Sequence, residues 1–325
     1  MTIGVIGGGA WGTALAQVIA SGGEDVTLWA RETEVVNSVN HTRENSLFLS
    51  GLKLSERITA TSNIAAATAC SVLLIVAPAQ HLRSVLADIP ANGQHLILCT
   101  KGIEQGSGAF MHDIAIERAL GGGVAVLSGP TFAHEVAAGL PTAITLACED
   151  EVLGAMLART IARPTFRPYL STDMIGAEIG GAVKNVLAIA CGVVEGRGLG
   201  QNARAALIAR GFAEMTRFGL ANGARAETLA GLSGLGDLVL TCSSASSRNF
   251  SLGKGLGEGR TATEMLEGQR TVAEGAATAP VLQKVAREAG VDMPIVDAVC
   301  ALLAGDTAID EVVGSLLARP LKIER

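Results

Sequence analysis

Aromatic residues make up only 3% of the 325-residue chain and charged residues 17%, and Lys plus Arg (25) fall short of Asp plus Glu (31). The net charge of −6 excludes a protein that grips nucleic acid or an anionic membrane surface through a basic face. The six cysteines (Cys70, Cys99, Cys148, Cys191, Cys242, Cys300) form no C-x-x-C pair. That spacing leaves no disulfide framework and points to a reducing compartment. The five histidines show no H-E-x-x-H or comparable ligand spacing, so no metal site is expected. Residues 1–23 carry no charge, but Gly7-Gly8-Gly9 interrupts the apolar run and no Lys or Arg precedes it, so a secretion signal is not expected. Residues 58–82 also lack Asp, Glu, Lys and Arg. Thr, Ser, Asn and Pro78 are spread through them, which reads as a buried strand with its approach loop rather than a membrane span. A soluble, cytoplasmic chain is expected, without a nucleic-acid partner or integral membrane association. A homodimer is left open.

What the chain has instead is glycine: 40 of 325 residues, about 12% against a usual level near 7%. Short apolar runs bounded by turn signals predict strands at Thr2–Ile6, Val26–Trp29, Val72–Val76, Leu96–Cys99, Val124–Leu127 and Thr142–Ala147. Helical stretches alternate with them, most clearly Trp11–Ser21 and Gly108–Leu120. The alternation predicts parallel strands joined by right-handed crossovers, hence an α/β fold with a Rossmann-type doubly wound sheet. After about Ser171 the strand-like runs stop. Periodic helices over Met174–Glu195, Ala203–Ala221, Val281–Ala289 and Ile295–Leu303 predict an all-α C-terminal domain. The expected division is a dinucleotide-binding domain over 1–172 and an all-helical substrate-binding domain over 173–325.

Gly7-Gly8-Gly9-Ala10-Trp11-Gly12 fits G-x-G-x-x-G, with an apolar strand before it and a helix after it. Gly7 permits the tight turn, Gly9 lets the backbone approach a pyrophosphate, and Gly12 allows close helix–strand packing. The anion then sits on the helix N-terminus. For the coenzyme's ribose, Arg31 stands 19 residues after Gly12 and suits the 2′-phosphate of NADP. Glu32 beside it suits the free hydroxyl of NAD, and a solvated surface arginine is the plain alternative. The balance of these residues favours NADP.

Ligands of open α/β sheets bind beyond the carboxyl ends of the strands, where Pro78, Thr100-Lys101-Gly102 and Ser128-Gly129-Pro130-Thr131-Phe132 fall. Lys101 taken alone reads first as an ordinary surface charge. In the helix Met174–Glu195, Lys184 lies off the apolar stripe, among Ala177, Gly180, Gly181, Ala188 and Cys191. A lysine there is either desolvated, with its pKa lowered toward useful proton transfer, or snorkelled into solvent. Mid-helix glycines cost about 1 kcal/mol each relative to alanine, so Gly180-Gly181 implies close approach of a ligand or another backbone. Asp237 and Thr241 are four apart and share a helix face. Ser246-Ser247-Arg248-Asn249 offers a guanidinium fork beside hydroxyls and an amide, suited to a phosphate or to helix capping.

Five runs in one order (VIGGGAWGTALA, CTKG, SGPTFAHEVAAGLPTA, GGAVKNVLAIA and GLGDLVLTCSSASSRN) make the whole chain resemble the bacterial NAD(P)-dependent glycerol-3-phosphate dehydrogenases. The resemblance implies reversible reduction of dihydroxyacetone phosphate to sn-glycerol 3-phosphate with NADP or NAD, supplying glycerophospholipid synthesis. By motif it makes Lys184 the general acid/base, with Asp237 as its catalytic partner. Lys101 would contact both coenzyme and substrate. It further assigns Gly129, Thr131, Thr241, Ser247, Arg248 and Asn249 to the substrate. The coenzyme would take Gly7, Gly9, Ala10, Trp11, Gly12, Arg31, Ala133, Arg248, Val272 and Glu274. Ala10-Trp11 replaces a more usual Ser-Tyr or Ser-Phe, and Gln269-Arg270-Thr271 is less typical; both departures bear on the coenzyme and not on the reaction. The Ser-Arg-Asn cluster weighs against a reductase of unphosphorylated acids, and the two lysines with Asp237 weigh against a dinucleotide sensor without turnover.

Overall fold

The computed structural model describes residues 2–118, 120–267, 273–305 and 307–318, the side chains of residues 316 and 317 apart. Eight strands occupy its first half: β1 (Ile3–Ile6), β2 (Val26–Trp29), β3 (Ile58–Thr61), β4 (Val72–Ile75), β5 (Gln94–Leu98), β6 (Gly121–Ser128), β7 (Thr142–Ala147) and β8 (Phe166–Ser171). They form one sheet in the order β3-β2-β1-β4-β5-β6-β7-β8. Its first six strands have the 3-2-1-4-5-6 order of the Rossmann fold, with the reversal of winding between β1 and β4. The intervening helices are α1 (Ala10–Ala20), α2 (Thr33–Thr42), α3 (Ile64–Thr68), α4 (Leu82–Ala87), α5 (Met111–Arg118), α6 (Ala133–Ala137) and α7 (Glu151–Ile161).

The sheet departs from the parallel expectation at its far end. β7 runs antiparallel to β6, and β8 runs parallel to β7. The only helix between β6 and β7 is the five-residue α6. Five helical residues rise about 7.5 Å, well short of the roughly 20 Å that a six-residue strand spans, so that helix cannot carry the chain back for a parallel entry. Two strands went unread in the sequence. β3 is Ile-Thr-Ala-Thr, no shorter than β1, β2 or β4 but too weakly apolar to stand out, so residues 58–82 hold two strands and α3 where one strand was expected. β8 contains Pro168, which is tolerated because β8 closes the sheet as an edge strand.

The second half is helical: α8 (Met174–Gly196), α9 (Gly200–Ala221), α10 (Ala226–Ala230), a π-helical turn at Leu232–Gly236, then α11 (Asp237–Cys242) and α12 (Arg248–Gly257). α13 (Ala262–Leu266), α14 (Glu274–Glu288), α15 (Pro294–Ala304) and α16 (Ile309–Leu317) follow. Asp173 starts α8, one carboxylate oxygen accepting from the Gly176 N–H at 2.8 Å and the other from the Arg225 N–H at 2.8 Å. Nineteen of the 23 residues of α8 are buried. It is the one described helix long and apolar enough to cross a membrane, and its burial marks it as a core helix.

α8 also joins the halves. Met174 and Ala177 pack into the hydrophobic cluster on one face of the sheet, and Ile179 through Val193 build the helical core. Its Glu178 is tied to α5: one carboxylate oxygen accepts from the His112 N–H at 2.9 Å, and the other lies 2.7 Å from His112 Nδ1. Part of the glycine surplus is used against α12. A side chain at Gly192 would begin 2.1 Å from the Phe250 carbonyl oxygen, and one at Gly253 1.9 Å from that of Ile189, so the two helices meet backbone to backbone.

Candidate active site

The glycine loop turns directly from β1 into α1. A Cβ at Gly7, whose φ is +133°, would lie 2.6 Å from the Val76 carbonyl oxygen, and one at Gly12 would lie 1.8 Å from that of Gly7. Those two glycines close the turn. Gly9 differs, because no heavy atom lies within 4 Å of where its side chain would begin. Helix α1 has no side-chain cap, and the N–H groups of Gly9, Ala10, Trp11 and Gly12 donate to nothing among the described residues. Free N–H groups at a helix start facing open space form an anion cradle. Ala10, Trp11 and Ala133 flank this loop, packed against the sheet's larger hydrophobic cluster. Arg31 follows β2, is exposed, and pairs with Glu32 at 3.1 Å. The two residues weighed for the coenzyme's ribose therefore hold each other.

The charged cluster assembles from both halves. Lys101 follows β5, Gly129 follows β6, Lys184 sits mid-way along α8, and Asp237 opens α11. Lys184 is 6% exposed; its Nζ donates to Asp237 Oδ1 at 2.6 Å and to Thr241 Oγ1 at 3.1 Å. Lys101 Nζ donates to Asp237 Oδ2 at 2.7 Å and to the Gly129 carbonyl at 3.2 Å. One carboxylate, fully buried, thus bridges two ammonium groups. Thr131 Oγ1 adds a bond of 3.3 Å to the same Gly129 carbonyl. Burial pushes the Lys184 pKa down from 10.5 to about 8; the Asp237 carboxylate opposes the shift and the Lys101 charge adds to it. Of the two readings of Lys184, the buried one is the structure, and snorkelling is excluded.

The glycines of α8 make room for this. A Cβ at Gly180 would meet the Ser233 carbonyl oxygen at 2.2 Å, in the π-helical turn that leads to Asp237. At Gly181 it would meet the Lys101 stem at 3.2 Å and Ser128 Oγ at 3.0 Å. Backbone approach, not a ligand, accounts for Gly180.

Ser247, Arg248 and Asn249 open α12, and their side chains divide between packing and solvent. Ser247 Oγ caps the helix, accepting from the Phe250 N–H at 3.2 Å. Asn249 Nδ2 donates to Asn185 Oδ1 at 3.0 Å and its carbonyl accepts from the Gly275 N–H at 2.9 Å, so it ties α12 to α8 and α14. Arg248 is exposed and its guanidinium has no hydrogen bond or ion pair among the described residues. Glu274, half-buried at the start of α14, accepts from the Ala79 N–H at 3.4 Å; burial raises its pKa and the nearby Arg248 charge opposes the rise. Val272 lies outside the described residues, as do Gln269, Arg270 and Thr271. Among the described residues no hydrogen bond or ion pair links the lysine cluster to Arg31 or the glycine loop. A cavity of about 1020 Å³ lined by Thr145, Cys148, Tyr169, Leu170, Arg225 and Leu232 contains none of the clustered side chains. Sequence reasoning missed Asn185, partner of Asn249, and Asn45, which reaches the glycine loop; a single polar residue inside an apolar helix or a loop leaves no periodic signal.

Family models for the N-terminus and the C-terminus of NAD-dependent glycerol-3-phosphate dehydrogenase match residues 2–153 and 173–314. The chain belongs to that family. Among glycerol-3-phosphate dehydrogenases, it is 64% identical over 322 residues to the NAD(P)+ enzyme of Erythrobacter litoralis, covering 99% of this chain and 97% of the relative. It is 63% identical over 323 residues to that of Novosphingobium aromaticivorans, covering 99% and 98%. The crystal structure of the glycerol-3-phosphate dehydrogenase from Coxiella burnetii superimposes with a TM-score of 0.93 at 37% identity, covering 98% of this chain and 99% of that one. A ketopantoate reductase from Ralstonia eutropha, 15% identical with a TM-score of 0.59, shares the fold alone.

Proposed function

We propose that this glycerol-3-phosphate dehydrogenase reduces dihydroxyacetone phosphate reversibly to sn-glycerol 3-phosphate with NAD(P)H, and that Lys184 moves the proton. The carrying observation is the Lys184 amine itself: buried, bonded to Asp237 and Thr241, with a pKa near 8. The glycine loop fits a dinucleotide, because Gly9 borders open space and four N–H groups there have no partner among the described residues. Gly7, Gly9, Ala10, Trp11 and Gly12 would hold the pyrophosphate, with Ala133 and Glu274 along the remainder of the coenzyme. Bound there, NAD(P)H supplies the hydride.

The residues of the chain do the rest. Lys184 donates its proton to the substrate carbonyl oxygen, and its charge stabilises the developing alkoxide. Asp237, with Thr241, fixes the direction of that amine. Lys101, Gly129 and Thr131 border the same space from the sheet side. Arg248, unpaired among the described residues, meets the substrate phosphate at the start of α12, with Ser247 and Asn249 shaping the helix end. Binding energy at the phosphate thereby orients the distant carbonyl. Arg31 supports NADP as the favoured coenzyme, since a 2′-phosphate offers its fork a doubly charged partner in place of the Glu32 oxygen. We assign residues 1–172 to the dinucleotide and 173–325 to the substrate, the second part beginning where Asp173 caps α8. A net charge of −6 and a buried α8 suit a cytoplasmic enzyme supplying glycerophospholipid synthesis.

The test is the loss of NADPH absorbance with dihydroxyacetone phosphate, with ketopantoate, and with no substrate. Turnover with the triose phosphate alone is expected; turnover with ketopantoate instead would overturn the assignment.

A further inference from the structure

Asn45 lies in the connection between α2 and β3, yet its side chain is fully buried. Its amide donor is directed at one place, and its oxygen is held by its own loop. Nδ2 donates to the Gly8 carbonyl oxygen at 2.8 Å and to Thr13 Oγ1 at 2.8 Å, and Oδ1 accepts from the Phe48 N–H at 3.1 Å. Thr13 Oγ1, itself buried, reaches the same Gly8 oxygen at 3.5 Å. A side chain 37 residues down the chain thus holds the middle carbonyl of the glycine loop.

The consequence follows from peptide geometry. In a trans peptide the C=O of one residue and the N–H of the next point in opposite directions. No described peptide bond is cis. Holding the Gly8 oxygen toward the interior therefore turns the Gly9 N–H the other way, on the residue that borders open space and whose N–H has no partner among the described residues. Two successive glycines are the pair least able to hold a peptide plane by themselves, because neither has a side chain to restrict φ and ψ. A loop that samples both orientations binds with an affinity reduced by the fraction in the competent one.

We propose that Asn45 is a positioning residue for the coenzyme: it locks the Gly8–Gly9 peptide so that the Gly9 N–H is aimed at the pyrophosphate. The inference rests on the dinucleotide reading of the glycine loop. It gives Asn45 no contact with the ligand and no part in proton transfer.

The experiment compares Asn45→Ala with Asn45→Leu, which keeps the size, adds no charge and removes the donor that holds the Gly8 carbonyl. Dissociation constants are measured by titration for NADPH, for ADP-ribose, which retains the pyrophosphate, and for adenosine 2′-monophosphate, which lacks it. Both variants should bind NADPH and ADP-ribose tenfold or more weakly and adenosine 2′-monophosphate within twofold of the parent. At saturating NADPH, kcat and the KM for dihydroxyacetone phosphate should stay within twofold. Equal losses for all three ligands, or unchanged NADPH binding in a folded variant, would overturn the proposal and leave Asn45 a packing residue. Should Asn45→Ala fail to fold, the same outcomes are read on Asn45→Leu. A parent enzyme that binds neither NADPH nor ADP-ribose would instead overturn the dinucleotide reading, and the proposal with it.

Discussion

At the glycine loop the groups offered to a ligand are backbone N–H groups, set by a turn closed within residues 7–12. Around Lys184 they are side chains drawn from residues 101, 184, 237 and 241, with the backbone carbonyl of Gly129. The first kind of site tolerates almost any side chain and demands particular glycines; the second demands particular side chains and tolerates variation between them. Chemical capacity follows the same line: N–H groups can hold an anion without exchanging protons, whereas a buried amine with a lowered pKa can give its proton up.

Substitutions can break that contrast, and the largest effect belongs to the amine. Lys184→Ala should lower kcat by roughly 10²- to 10⁴-fold, the usual worth of a general acid. Titration with NADPH should meanwhile return a dissociation constant within twofold of the parent; normal turnover would remove Lys184 from the mechanism. The two glycine types come next. Gly12→Ala presses a methyl group into the Gly7 carbonyl and should cost about 3 kcal/mol or more in a denaturant titration. Gly9→Ala, with open space around it, should leave the unfolding midpoint nearly unchanged and weaken NADPH binding. Equal destabilisation by both would erase the distinction between a closing glycine and an exposed one.

Arg248→Ala should raise the KM for dihydroxyacetone phosphate roughly tenfold or more, on the scale of a lost charged hydrogen bond, with kcat changed far less. An unchanged KM would take the phosphate away from α12. The pH profile is the mildest probe. If Lys184 is the proton donor proposed above, the rate of reduction should be about half-maximal near pH 8 and fall about tenfold per unit above it, while oxidation rises through the same pH. Stability follows the same group. Because its pKa is lower folded than the ordinary 10.5, the unfolded chain binds the extra proton between about pH 8 and 10.5, and this lysine's contribution to stability improves as pH rises through that window.

The contrast also decides what could be read from the chain beforehand. The glycine loop was legible because strand, turn and helix follow one another without a break. Lys184 was legible as an anomaly, a charge among alanines and glycines, and Asp237 with Thr241 by spacing. That Lys101, 136 residues before Asp237, shares its carboxylate was not, since nothing local brings two such distant residues together. Ser247 and Asn249 looked like ligands because capping and anion binding call on the same residue types; only their hydrogen bonds show them engaged within the protein. β8 was hidden by Pro168 and β3 by its weakly apolar Ile-Thr-Ala-Thr, and the reversal of β7 depends on how short α6 is, a boundary the pattern does not mark.

Lys101 stands on the sheet and Lys184 on the helices, and a single acid group clasps both. Parting the halves would strand one ion without its counter-ion and let water reach the other, returning it toward an everyday ammonium. The strength of the acid is in that sense a property of the contact between sheet and helices, not of the lysine alone.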